Sequence, residues 1–380
     1  MVKILCDLRA ATAILTFVAV VLGASASFAQ VTPAAGYTPP DDTPTIKVGA
    51  TIFTDYTFQS APKITDADGN VVSSNAFNVG RAYINVTGNI SHLLGFRITP
   101  DIVRESGTGS SLAGSLTFRL KYAYAQVNLD DWMTKGSWVR LGIQQTPWVD
   151  FEETVYRYRF QGTIFMDREG YLSSSDAGVA FHSNFPSNYG DMQVGIYNGE
   201  NYNRGVGDQR KDAMGRVSVR VLDTDDGSKV GGLRLTGYGQ VGKPTGGGIR
   251  DRWLGMVSYR SKMLTLAGEY ARTKDRQDAP PAPATPQLTD INGQILSFFG
   301  VLHIPNSRAA IIGRVDLTDP NKDVPNNKQT RFIGGVSYQL TPALRLLADI
   351  DNVGFEGDAP LPPAVYATKT QGLFQAQYVF

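Results

Sequence analysis

Apolar and polar side chains take turns along most of this chain, and the alternation runs to its final residue. In "TQGLFQAQYVF" (370–380), Phe374, Ala376, Tyr378 and Phe380 share one face. Gln371, Gln375 and Gln377 share the other, with Leu373 and Val379 out of phase. Period two belongs to a β-strand set between two different environments. The pattern recurs upstream. Ala82, Ile84 and Val86 oppose Arg81, Tyr83, Asn85 and Thr87, and Phe96 and Ile98 oppose Arg97, Thr99 and Asp101. Val139, Leu141 and Ile143 oppose Arg140 and Gln144, and Val217, Val219 and Val221 oppose Arg216, Ser218 and Arg220. A face that carries Arg, Asn, Thr and Gln strand after strand cannot be a dry core, because burying unpaired charge is costly. It suits a lumen that holds water, and the apolar face then meets lipid. An open sheet edge in hydrocarbon leaves backbone groups unpaired, so such a sheet must close. The last strand is expected to pair with the first, near "IKVGATIFTDY" (46–56). Phe374, Tyr378 and Phe380 then form the closing face, with Phe380 at the lipid–water interface.

From Ile46 onward the pattern divides into sixteen candidate strands of about 10 to 14 residues. Short connections such as 91–93, 186–190, 261–262, 305–307 and 341–342 alternate with long ones near 60–74, 104–115, 147–173, 201–211, 273–290, 318–328 and 354–366. That rhythm puts all long loops at one end of an up-and-down sheet. The expected fold is therefore all-β, a transmembrane up-and-down antiparallel β-barrel of about sixteen strands. A soluble β-sandwich or propeller leaves the polar inner faces unexplained. "LKYAYAQVNL" slips phase near Ala125, which reads as a bulge.

The chain begins "MVKILCDLRAATAILTFVAVVLGASASFAQ", a basic start, a short apolar run and a small-residue site at Ser27-Phe28-Ala29. Residues 1–29 read as a secretory signal peptide. Residues 30–45, rich in Pro and polar residues, read as a flexible periplasmic segment, and 46–380 as the barrel. Cys6 leaves with the signal, so no disulfide or thiol chemistry is expected. Removing Lys3, Arg9 and Asp7 from 36 basic and 35 acidic residues leaves 34 of each. Such a balance argues against a nucleic-acid partner.

Catalytic signals are weak. "GYGQVGKP" (237–244) approaches a phosphate-binding loop, but Pro244 stands where a hydroxyl should hold magnesium, and no helix follows. His182 and Ser183 are adjacent in a strand, so their side chains diverge. No metal-ligand cluster stands out. Neither an enzyme, a cofactor nor a metal site is expected.

The informative segment is 142–178, "GIQQTPWVDFEETVYRYRFQGTIFMDREGYLSSSDAG". It follows the fifth strand, which makes it the third extracellular loop, and it is too long to lack a function. Trp148, Phe151, Tyr156, Tyr158, Phe160, Phe165 and Tyr171 call for a folded place, expected to be against the lumen wall, narrowing the channel; packing outside or onto a neighbouring subunit is the alternative. Gly142 with Pro147 five residues on, Phe165-Met166-Asp167-Arg168, and Asp176-Ala177-Gly178 opening the next strand resemble the phosphate-selective porin O/P family. Arg81 in "FNVGRAYINVTGNI" and the strand "LTFRLKYAYAQVNL" are similar to its early strands. The resemblance implies a sixteen-stranded trimeric outer-membrane porin whose third loop forms the constriction, with basic residues guiding anions in some members. A lysine is common in that family two residues before the proline; here Gln145 stands there.

The basic residues of the inner wall concentrate early, at Arg81, Arg97, Arg119, Lys121 and Arg140, with Gln144 beside them. The folded loop would set Asp150, Glu152, Glu153, Asp167 and Glu169 against them, alongside Arg157, Arg159 and Arg168. Opposed charges across a narrow wet gap make a transverse field that favours polar solutes. Pairing of these arginines with inner carboxylates such as Asp101, Asp349 and Asp351 would cancel part of it. The expected function is passive diffusion of small hydrophilic solutes, with a weak or modest preference for anions. Lipid, the barrel-assembly machinery (through the terminal aromatic) and two sister subunits are the expected partners. A plugged structural or adhesive barrel, with the proline-rich segments 279–286 and 358–363 as partner-binding loops, is the other reading.

Overall fold

The computed structural model describes residues 42, 44–105, 111–204, 209–278, 287–357 and 368–380. The signal peptide, nearly all of the 30–45 segment and both proline-rich stretches lie outside them. Sixteen strands form one closed antiparallel ring in which each pairs with its sequence neighbours and the first pairs with the last. The first five are β1 (Thr45–Thr65), β2 (Val71–Asn89), β3 (Leu94–Arg104), β4 (Leu116–Asn128) and β5 (Trp138–Gln145). Then come β6 (Ser175–Asn184), β7 (Gly190–Tyr197), β8 (Asp212–Leu222), β9 (Gly232–Gly242) and β10 (Gly248–Arg260). The remainder are β11 (Leu264–Gln277), β12 (Gln287–His303), β13 (Ala309–Asp319), β14 (Gln329–Thr341), β15 (Leu344–Phe355) and β16 (Lys369–Val379). Two helices, α1 (Pro147–Tyr156) and α2 (Phe165–Arg168), lie in the β5–β6 connection.

Closure occurs where the alternation demands it. β16 pairs with β1 from Gln59↔Gln371 to Thr51↔Val379, and beyond that Ala50 and Phe380 exchange backbone hydrogen bonds of 2.7 and 3.0 Å. Phe374, Tyr378 and Phe380 are exposed on the outer face, whereas Gln375 points inward and is buried. The outer band continues through Val217, Leu235, Trp253, Val257, Phe298, Ile311, Phe332 and Ile350, all exposed. An apolar exterior of this kind is stable against hydrocarbon and not against water.

Two local expectations are corrected. The phase slip in β4 sits at Lys121, not near Ala125: Thr99 pairs with Tyr122 and Pro100 with Leu120, so Lys121 is the unpaired extra residue. Pro100 has no N–H to give the ladder, which is why the register breaks there. The bulge turns both Lys121 and Tyr122 into buried positions. The expected long loop at 60–74 is instead a continuation of the hairpin, paired as far as Thr65↔Val71. Its turn at 66–70 closes on Asp66, whose Oδ1 accepts the N–H groups of Asp68 and Asn70 at 3.0 and 2.8 Å.

Candidate functional site: the lumen and the inserted segment

The chain leaves β5 through Gly142, whose φ of +126° and lack of a side chain are both required, since a Cβ would come within 2.3 Å of the Ala123 carbonyl oxygen. Pro147 then opens α1 at a position where a missing N–H costs nothing. Trp148, Phe151, Glu152, Val155 and Tyr156 form a buried face at helical spacing. Arg157, in the left-handed region at φ 63°, ends the helix with its N–H on the Glu153 carbonyl.

The segment's partners sit on the inward parity of strands far around the ring. Trp148 packs on Tyr238 of β9 and Tyr156 on Phe299 of β12, with ring centroids 5.7 and 5.0 Å apart. Tyr158 shares a 2.7 Å hydrogen bond with Ser337 of β14, and Gln161 Nε2 donates to Asp349 of β15 at 3.0 Å. Wall side chains also cap the segment's backbone carbonyls. Arg216 donates to Pro147 at 2.9 Å, Arg260 to Thr154 at 2.9 Å, Gln375 to Phe160 at 3.0 Å, Arg345 to Arg157 at 3.1 Å and Arg252 to Tyr171 at 3.1 Å. A connection poor in regular structure can enter a barrel only if its carbonyls find such donors. The segment is thus joined to side chains of β8, β9, β10, β12, β14, β15 and β16.

Several charges on this packed side are paired. Arg314 binds Asp316 through Nε at 2.8 Å with both side chains 1% exposed, Arg331 bridges Asp351 and Glu169, and Arg260 holds Asp226 at 2.8 Å. Glu152 and Arg168 also lie here. Glu152 is fully buried and accepts the Trp148 indole N–H at 2.9 Å. Burial lifts its pKa against the pull of Arg314. Arg168 donates to Gln161 at 2.9 Å, and burial together with Arg331 and Arg314 pulls its pKa down to about 10.

The arc formed by β2 to β5 differs. Arg81 and Arg119 share Asp101, at 2.7 and 3.0 Å. Among the described residues, Arg97, Lys121 and Arg140 form no ion pair. They are held by neutral groups instead. Arg97 donates to Asn85 and Thr99 and lies 4.4 Å over the Tyr122 ring. Lys121 lies 4.9 Å over Tyr83. Arg140 bonds Gln126 and Gln145 and lies 3.7 Å over Trp138. Aromatic faces hold a cation in place without cancelling its charge. Asp150 is exposed to the lumen and lies within electrostatic reach of Arg140 and Arg97. Asp167 is within reach of Arg159, Lys121 and Arg81. Arg159 is tied to Glu153 at 2.6 Å, and Arg157 approaches Asp226 at 3.9 Å. Asp150, Glu153, Arg157 and Arg159 face Arg345, Gln339 and Gln377 across an open cavity of about 470 Å³ at the end of the barrel holding the C-terminus.

Three expected lumen-lining residues, Gln144, Glu152 and Arg168, do not line it, Arg168 being turned onto Gln161. Gln144 is fully buried, its amide donating to the carbonyls of Arg140 and Gly178 at 3.3 and 2.9 Å. Glu152 turns to the wall because it falls on the apolar face of α1, between Trp148 and Tyr156. Of the expected residues, Asp150, Glu153, Arg157 and Arg159 share the larger cavity, Asp150 lies near Arg97 and Arg140, Asp167 lies near Arg81 and Lys121, and Arg119 joins Arg81 on Asp101. Arg252, Arg260 and Arg345 also reach the segment, and their inward parity was the available signal; Arg216, on the inner face by alternation, proves to hold the start of α1. His182 and Ser183 diverge: His182 reaches Asp191 and Ser183 reaches Ser137.

No protein-family model and no curated protein sequence matches the chain. Solved structures do. OmpF of Salmonella typhi aligns at TM-score 0.62 and 11% identity, over 89% of this chain and 98% of that one. An anion-selective porin from Comamonas acidovorans aligns at 0.60 and 15%, over 89% of this chain and 100% of that one. OmpT of Vibrio cholerae aligns at 0.59 and 14%, over 90% and 99%. At these identities the likeness is one of fold.

Proposed function

We propose that this protein is an outer-membrane channel through which small hydrophilic solutes diffuse passively, with a modest preference for anions. The observation that carries the reading is the arc of Arg97, Lys121 and Arg140, three inward cations without a carboxylate partner among the described residues. They face Asp150 and Asp167 on the inserted segment. In a narrow wet passage such charges are screened less than on an open surface, so they bias which ions enter. The inserted segment sets the size limit by filling the side of the lumen opposite that arc. The likeness to an anion-selective porin agrees with this direction of charge selectivity.

Further readings follow from the sequence. Residues 1–29 direct export, and the strand ending in Phe380 presents the terminal aromatic to the barrel-assembly machinery. Three copies associate in the outer membrane. Within the porins, the 142–178 segment aligns the chain with the phosphate-selective O/P group, while Gln145 in place of lysine argues for general rather than phosphate-specific permeation.

Reconstitution into a planar bilayer tests the channel. Steady single-channel steps in potassium chloride, together with swelling of proteoliposomes in small sugars, are the expected results. Absence of any steady current from folded protein would mean a plugged barrel, and would overturn the proposal.

A further inference from the structure

A second cavity, of about 220 Å³, opens beside α1 against the wall of β5 to β8. It shares Asp150 and Thr154 with the larger opening, so a solute in the passage has a side chamber available. Arg216 forms part of its lining and is 4% exposed. Its guanidinium is held on three sides: Nε donates to the Pro147 carbonyl, Nη2 to Asp191, and the plane lies 4.3 Å over the Phe151 ring. Nη1 is buried and makes no hydrogen bond within the protein. A rigidly placed, desolvated N–H on a cation is a strong donor for a carboxylate oxygen. The start of α1 adds the positive end of its dipole at Pro147.

We propose that this chamber is a binding subsite for a small monocarboxylate carrying a short hydrocarbon portion; the proposal rests on the channel reading above. Charge and shape select that class. Arg140, Arg216 and Lys229 set three cations against Asp150 and Asp191, a surplus of one. Asp191 is already engaged by Arg216 and His182. Asp150 at the shared mouth disfavours a second negative charge, which argues against phosphate and dicarboxylates. Trp138, Phe151 and Val230 offer the apolar surface for a hydrocarbon tail. The volume equals that of roughly seven waters, enough for a solute of a few carbons and too small for a drug-sized one.

Titration of the full-length detergent-solubilised protein with butyrate, followed by tryptophan fluorescence through Trp138, tests the subsite separately from the channel. Saturable binding of butyrate, with inorganic phosphate binding much more weakly, is expected. Arg216→Gln should weaken binding by about tenfold or more, since a charged hydrogen bond is lost. Because Arg216 also anchors α1, two variants that leave that anchor intact accompany it: Val230→Trp to fill the chamber and Lys229→Gln to remove its exposed cation. Loss of saturation in Val230→Trp and weakening in Lys229→Gln support the site. Non-saturable butyrate titration, binding that survives Val230→Trp, or phosphate binding as tightly as butyrate would each overturn it. Single-channel current in potassium chloride that persists alongside such a failure would leave the channel standing and remove the subsite alone.

Discussion

Arg314 and Arg140 are both inward-facing arginines stacked among aromatic rings, and they serve different ends. Arg314 lies 5.4 Å from Tyr156 of the inserted segment, is 1% exposed and has Asp316 at 2.8 Å. Arg140 lies over Trp138 and Tyr124, bonds only amide oxygens and stands beside the unfilled lumen. Where the segment packs over Arg314, water leaves and Asp316 supplies the counter-charge, because an uncompensated buried ion costs several kcal/mol. Arg97 and Arg140 keep part of their surface open to water and stand without a carboxylate, whereas the buried Lys121 is held by the Tyr83 ring and hydroxyl. One barrel wall thus supports a bonded arc that anchors the segment and a basic arc that is left to act on solutes.

The largest way to break this division is to remove the anchor. Trp148 is fully buried between α1 and Tyr238, so Trp148→Ala should cost about 3–5 kcal/mol and release the segment. Unfolding in urea from lipid bilayers, and protease cleavage within 147–170, would measure it. Asp316→Ala should follow at about 3 kcal/mol, the low end for breaking a buried pair, because the Tyr156 and Phe299 rings remain against Arg314. Arg140→Gln, by contrast, should change stability by less than about 1 kcal/mol, since it breaks no ion pair. If Arg140→Gln proved as destabilising as Asp316→Ala, the two arcs would not differ in kind.

A smaller effect sharpens the bonded arc. In the unfolded chain Glu152 titrates near 4.3, and burial raises its native value. The native state therefore keeps a proton that the unfolded state has lost. The resulting stabilisation is full below about pH 4.3 and declines as pH rises through the native pKa. Anchoring of the segment should be firmer in acid, and Glu152→Gln should flatten that dependence. A segment equally protease-resistant at acidic and neutral pH in the parent protein would contradict this.

Strand number, closure and the inner and outer faces were legible because period two survives in nearly every strand and a one-residue slip would invert it. The cluster from Arg81 to Arg140 was legible for the same reason. What was not legible depended on partners distant in sequence. Tyr122, which strict alternation from Arg119 and Lys121 would point outward, turns inward because Pro100, on the neighbouring strand, breaks the ladder. Glu152 looks like a loop carboxylate until the buried face of α1 is laid against β11 and β13. Arg216 reads as one more inner-face arginine, and only the carbonyl of Pro147 and the ring of Phe151 give it a distinct place.

The reversal potential of the reconstituted protein in a potassium chloride gradient tests the basic arc most directly. An anion-favouring potential is expected, shifting by roughly threefold in permeability ratio toward cations when Arg97, Lys121 and Arg140 are all replaced by glutamine, the change that about RT of lost potential produces. A parent channel that favours cations, or a triple variant with an unmoved potential, would contradict it.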